Sequence, residues 1–159
     1  PRFRYAHQFA QADRIVIAAP FWDLSFPALL KVYIEQVSVD GITFGSTESG
    51  LQGLCRASQL VFLTTRGGFY TGDAMEMGSR YLDALHTFFG IGAYTCIAAD
   101  GMDVAGFDAA ASLAAAIDRA INEVLHLGYR TPDIYLEGRG LTKVTTEEMG
   151  RLTAEHIHR

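Results

Sequence analysis

Clustered positive charge, cysteine, proline, tryptophan and long apolar runs are all scarce in this chain. Its 159 residues carry 13 Lys and Arg against 18 Asp and Glu, a net charge of −5. The basic residues are scattered, which excludes nucleic acid or an anionic membrane as the main partner, because phosphate neutralisation needs grouped Lys and Arg. No apolar stretch approaches the roughly 20 residues that span a bilayer. Residues 1–15 hold no signal peptide. The two cysteines, Cys55 and Cys96, lie in different segments without C-x-x-C spacing. That usage implies reduced, buried thiols in a cytoplasmic protein rather than a disulfide or redox pair. His7, His86, His126, His156 and His158 form no metal-ligand pattern, and the last two, two positions apart, face different sides of a helix. No metal is expected. The G-x-G-x-x-G and Walker sequences are absent too, which argues against a dinucleotide-binding Rossmann unit or a P-loop.

What is present is one domain's worth of alternating pattern, read as a single domain over 1–159. Three short runs are apolar on both faces: 15–19 (IVIAA), 60–64 (LVFLT) and 94–98 (YTCIA). Such runs suit strands covered on both sides, as in parallel sheets. An amphipathic helix follows each. The first has Phe26, Leu29, Leu30, Tyr33 and Val37 on one face, with Pro27 in its first turn. The second is expected over about 73–89, with Asp73 and Glu76 as a capping box, Met77, Tyr81, Leu85 and Phe88 as its stripe, and Gly90 as its end. The third is expected over about 107–127, with Leu113, Ile117, Ile121 and Val124 inward and Gly128 as C-cap. Between the first helix and the second strand, VDGITFGSTESGLQGL (39–54) reads as an extended excursion, a short hairpin. Residues 131–159 form a C-terminal extension with a short polar helix at 145–158. The chain opens on PRFRYAHQFAQAD, without Met and inside a helical pattern, so residues ahead of Pro1 are expected. The class is α/β, a parallel sheet with helices on both faces.

In open α/β sheets ligands bind beyond the carboxyl ends of the strands. The loops to read are therefore Pro20-Phe21-Trp22-Asp23-Leu24, Thr65-Arg66-Gly67-Gly68-Phe69-Tyr70 and Asp100-Gly101-Met102-Asp103. The first spends the only Trp and two nearby Phe where turns usually carry small polar residues. It offers flat apolar surface and backbone N–H groups. Gly67 and Gly68 let backbone approach a ligand closely, and Tyr70 adds an aromatic with a polar tip. Together these suit a planar ring with heteroatoms along its edge; ordinary packing of Phe21 and Trp22 under a lid is the other reading of the same residues.

Three segments, ADRIVIAAPFWDLSFPALLKVYIEQV, DGITFGSTESGLQGL and LTTRGGFY, taken in order and spacing, resemble the FMN-dependent NADH-azoreductase and NAD(P)H:quinone dehydrogenase family of flavodoxin-like proteins. The likeness runs from about residue 8 to 128. It implies a flavodoxin-like three-layer sandwich, FMN as cofactor, NADH or NADPH as donor, and quinones, azo compounds or nitroaromatics as two-electron acceptors in a ping-pong cycle. It also implies that Pro20, Phe21, Trp22, Asp23 and Leu24 lie along the flavin ring, and that Thr65, Arg66, Gly67, Gly68 and Tyr70 meet its pyrimidine end. No protein nucleophile or acid–base pair is required, so no catalytic residue is assigned. The family is homodimeric, and by the likeness Phe44 and Phe88 line the partner's substrate site; by spacing alone Phe44 is a local plug and Phe88 belongs to the core. Asp23 stands where the family commonly has Asn, and Tyr70 where it has His, which bears on substrate preference.

The three strands match family strands three to five. The first βαβ section, which in the family carries the phosphate-binding loop, is not in the sequence. These 159 residues alone are therefore expected to bind FMN weakly or not at all. Two rival readings are a flavodoxin-like dimerisation module that no longer binds FMN and a one-electron carrier; the excursion with Phe44 and the lack of a strongly acidic docking surface count against the carrier.

Overall fold

A computed structural model describes residues 2–48, 50–130, 132, 134 and 136–157. The elements in chain order are α1 (Arg2–Gln11), β1 (Ile15–Ala18), α2 (Ala28–Val37), β2 (Phe44–Thr47), β3 (Gly50–Gly53), β4 (Gln59–Thr65), α3 (Gly78–Phe89), β5 (Ala93–Ala99), α4 (Ala109–His126), β6 (Tyr129–Arg130), β7 (Thr142–Lys143) and α5 (Thr146–Ile157). Pro1, Ser49 in the expected excursion, and Thr131, Asp133, Tyr135, His158 and Arg159 in the expected extension lie outside the described residues.

The three apolar runs became the three strands of one parallel sheet in the order β1-β4-β5. Ile15 pairs with Leu60 and Gln59 with Ala93. Alternation along β4 separates two layers. Leu60 and Phe62 join Ile15 and Ile17 in the larger core, where Phe9 of α1, Ile34 and Val37 of α2, and Leu82 and Phe89 of α3 close over them. Val61 and Leu63 point the other way, to Ile97 and to Ala120 of α4. One helix covers that second face only in part. Of the stripe expected on α4, Val124 is buried, whereas Leu113 and Ile121 are exposed. A cleft of about 280 Å³ opens there, between Ala18, Pro20, Thr64 and Leu113. The outer edge of β1 pairs with no strand among the described residues.

The excursion is a hairpin, β2 against β3. It docks on the end of α3 through glycine: a Cβ on Gly53 would stand 2.0 Å from the backbone N of Gly90. The extension is more ordered than its pattern suggests. Val144 and Leu152 bury against Val124, and Tyr129 accepts a 2.5 Å hydrogen bond from Arg14.

The second helix begins later than expected. α3 starts at Gly78, and residues 73–77 are not helical. Asp73 accepts from the Met75 N–H at 2.7 Å instead of capping a helix, and Met77, expected in the stripe, is exposed. Glu76 itself caps α3, accepting from the Ser79 N–H at 2.9 Å. The start of the helix sits against the loop after β1: a Cβ on Gly78 would lie 3.2 Å from Glu76 Oε1 and 3.4 Å from Phe26 Cδ1 and from the Ser25 carbonyl carbon. The reciprocal capping box sits at α5, where Thr145 Oγ1 accepts from the Glu148 N–H at 3.0 Å and Glu148 accepts from the Thr145 N–H at 2.7 Å.

Candidate functional site

The loop after β1 is a tight two-residue turn. Trp22 and Ser25 exchange backbone hydrogen bonds of 3.1 and 2.9 Å, and Asp23 and Leu24 take φ of 48° and 66°. Positive φ at both central positions is the type I′ geometry, which favours Asn and Gly. Neither residue is glycine, so the turn is strained at its tip. It is held on both sides: the Phe21 N–H donates to Thr65 O at 3.0 Å, and Leu24 O accepts from the Met77 N–H at 2.8 Å. Trp22 is 60% exposed and Leu24 also faces solvent, so the apolar load forms surface rather than core.

The loop after β4 is laced to the loop after β5. Arg66, Gly67 and Gly68 carbonyls accept from Met102, Asp103 and Gly101 N–H groups, each at 3.0 Å. A Cβ on Gly67 would come within 2.5 Å of Asp103 Oδ2, and one on Gly68 within 3.0 Å of the Tyr70 ring. Tyr70 also packs on Phe21, ring centroids 4.5 Å apart. The structure thus brings Phe21, Gly67, Gly68 and Tyr70 together, with Thr65 as the backbone link to Phe21. Pro20 lies exposed at the margin.

Among the described residues the N–H groups of Asp23, Leu24, Gly67 and Gly68 donate to no protein acceptor, whereas those of Phe21 and Trp22 are used within the fold. Free amides beside an exposed Trp and an apolar Leu match a flat ring with acceptors on its edge. Asp23 and Asp103 are both exposed.

Arg66, expected among the ring-side residues, is buried. Its side chain is 3% exposed and turned inward, 3.4 Å from Glu76 and 3.5 Å from Asp100. It also donates to Thr71 Oγ1 at 3.2 Å and lies 5.7 Å from the Phe21 ring centre. Its own N–H donates to Ala99 O. Asp100 Oδ2 in turn accepts from the Tyr70 and Thr71 N–H groups at 3.2 and 2.8 Å. Beside the guanidinium, burial pushes the Cys96 thiol above its ordinary range, with the Arg66 charge pulling the other way.

Glu76, Asp100 and Asp103 were not assigned to the ring site from sequence. Asp100 and Asp103 stood in a post-strand loop, the available signal, while Glu76 mimicked a helix cap. Phe44 and Phe88 pair with each other, centroids 4.7 Å apart. They lie near the far end of α3, about 15 Å along its axis from Gly78 at 1.5 Å per residue, and not at the loops just described.

A three-layer α/β sandwich whose parallel strands aim their carboxyl ends at such loops is the architecture of flavodoxin-like proteins. Residues 3–124 match the pattern of the flavodoxin-like fold family, and the chain belongs to that family. It is 48% identical over 120 residues to an FMN-dependent NADH:quinone oxidoreductase 2 of Clostridium acetobutylicum, covering 74% of this chain and 60% of that protein. An FMN-dependent NADH:quinone oxidoreductase of Clostridium perfringens is 47% identical over 119 residues, with 75% and 60% covered. Among solved structures, an FMN-dependent NADH-azoreductase from Bacillus anthracis in complex with FMN superposes with a TM-score of 0.72 at 27% identity, over 79% of this chain and 61% of that one. The chain thus spans about 60% of the length of these relatives. No helix among the described residues is long and apolar enough to cross a membrane.

Proposed function

We propose that this chain is the ring-side part of an FMN-dependent oxidoreductase that moves two electrons from NADH or NADPH to quinones, azo compounds or nitroaromatics. The observation that carries the reading is the set of unused N–H groups at Asp23, Leu24, Gly67 and Gly68 around exposed Trp22. When bound, the flavin supplies the hydride chemistry, and the protein supplies binding, orientation and electrostatics. The four amides hold the polar edge of the ring. Phe21, Trp22 and Leu24 exclude water from one margin, Pro20 and Thr65 border it, and Tyr70 offers a hydroxyl to an acceptor oxygen. Phe44 of β2 and Phe88 of α3, paired near the far end of α3, complete the partner's site in a homodimer, away from this chain's own loops.

The test is an absorbance spectrum of the full-length protein with FMN added. Flavin bands that bleach under NADH, with parallel-line steady-state kinetics, support the reading. A protein that FMN cannot reconstitute defeats it and leaves the dimerisation module. Tyr70→Phe is expected to lower kcat for quinone reduction by roughly tenfold, within the range for a lost hydrogen bond to developing charge. Unchanged reductive and oxidative half-reactions would remove the hydroxyl from the mechanism.

A further inference from the structure

We propose that Glu76 is a positioning residue that, through Arg66 and Asp100, fixes the two ring-facing loops relative to each other. This rests on the flavin reading above for its purpose, but its geometry stands alone. Glu76 is 4% exposed, and it reaches both loops by separate routes.

The first route is its side chain. Oε1 lies 3.4 Å from Arg66 Nη2. Arg66 Nη1 lies 3.5 Å from Asp100 Oδ1, and the other oxygen of Asp100 holds the Tyr70 and Thr71 amides. The loop after β4 is therefore tied down by a guanidinium between two carboxylates. Arg66 Nε is buried without a partner, so the hold on the group comes from its two Nη atoms. The second route is the backbone. The next residue, Met77, donates its N–H to Leu24 O at 2.8 Å, which clamps the strained tip of the type I′ turn. Phe21 closes the circuit, its ring against both Arg66 and Tyr70. A strained turn persists only where its surroundings over-determine it, and buried charges this close depend on each other for solvation.

A plain capping role is the competing account, since Glu76 also accepts from the Ser79 N–H and hydroxyl. Three variants separate the two. Glu76→Gln keeps an acceptor for Ser79 but removes the charge facing Arg66. Ser79→Ala weakens the cap and leaves the charge. Asp100→Asn keeps an acceptor for Tyr70 and Thr71 and serves if Glu76→Gln does not fold. The readouts, both on the full-length protein, are hydrogen exchange by mass spectrometry without flavin and FMN affinity by flavin fluorescence.

Glu76→Gln, or Asp100→Asn in its place, is expected to speed exchange of both 20–26 and 66–72 by about tenfold while 109–126 stays unchanged, and to weaken FMN by about tenfold, the scale on which a small misplacement of binding groups acts. Ser79→Ala is expected to affect only the first turn of α3. The proposal is overturned if Ser79→Ala reproduces the pattern, if exchange rises uniformly, or if the loops loosen with FMN affinity unchanged. A full-length wild-type protein that binds no FMN defeats the flavin reading alone, and the exchange data still decide whether Glu76 couples the loops.

Discussion

Leu24 occupies a backbone region where an L side chain costs roughly 1–2 kcal/mol, and glycine gives back only part of that in chain entropy. Its side chain is partly exposed, so little burial is lost on removing it. Leu24→Gly is therefore expected to raise stability by about 1 kcal/mol in urea unfolding. A fall would mean that the Leu24 side chain packs for more than its exposure indicates. Cys55 makes a pH prediction. Burial pushes its thiol from 9.0 up to about 11. A raised value means the folded state favours the neutral thiol, so its contribution is complete below about pH 9 and is lost as pH rises towards 11. Native Cys55 should resist thiol reagents at neutral pH and react at the unfolding rate; fast stoichiometric labelling would refute this.

At the scale of elements, glycine pairs set where pieces dock. Gly53 has an ordinary φ, so Gly53→Ala carries no conformational penalty, yet its Cβ would collide with the backbone of Phe89 and Gly90. It is expected to cost about 1–3 kcal/mol by overpacking and to loosen β2 and β3, read as a lower urea midpoint. Gly45→Ala, whose Cβ would meet only Leu54 at 3.4 Å, should cost much less. The strands were legible because both-faced apolar runs mean one thing in a short segment: IVIA, LVFL and CIA are apolar on both faces, and so they read as parallel strands, although only the central LVFL is buried throughout. The loops were legible as positions, since strand ends choose them. The α3 start was not. Asp73 and Glu76 have capping-box spacing, but Glu76 answers to Arg66, ten positions back in another loop, and no local pattern records that partner. Asp23 and Leu24 hid their strained turn for the same reason, because the clamp at Met77 is distant in sequence.

For the whole molecule, the unbalanced layers matter most. One sheet face is covered by α1, α2 and α3 and the other by α4 with α5 beside it, and among the described residues the outer edge of β1 pairs with no strand. Beside that edge Leu29 is 79% exposed, Val32 and Tyr33 are also exposed, and a groove of about 560 Å³ runs between Tyr5, Pro20 and Tyr33. An open apolar edge is a template for pairing with another chain. The 159-residue chain alone is expected to self-associate with rising concentration in sedimentation velocity, and Leu29→Lys to reduce that. A monodisperse monomer across the concentration range would contradict the expectation.

The parallel ladders also bear on how the chain reaches this state. β1 and β4 meet only after α2 and the hairpin have been looped out, and β4 and β5 only after α3. Neither pairing can be nucleated by a short turn, so each demands closure of a loop several tens of residues long before any ladder bond forms. Refolding should accordingly be slow for a chain of this size, with the central strand idle until both crossovers have formed.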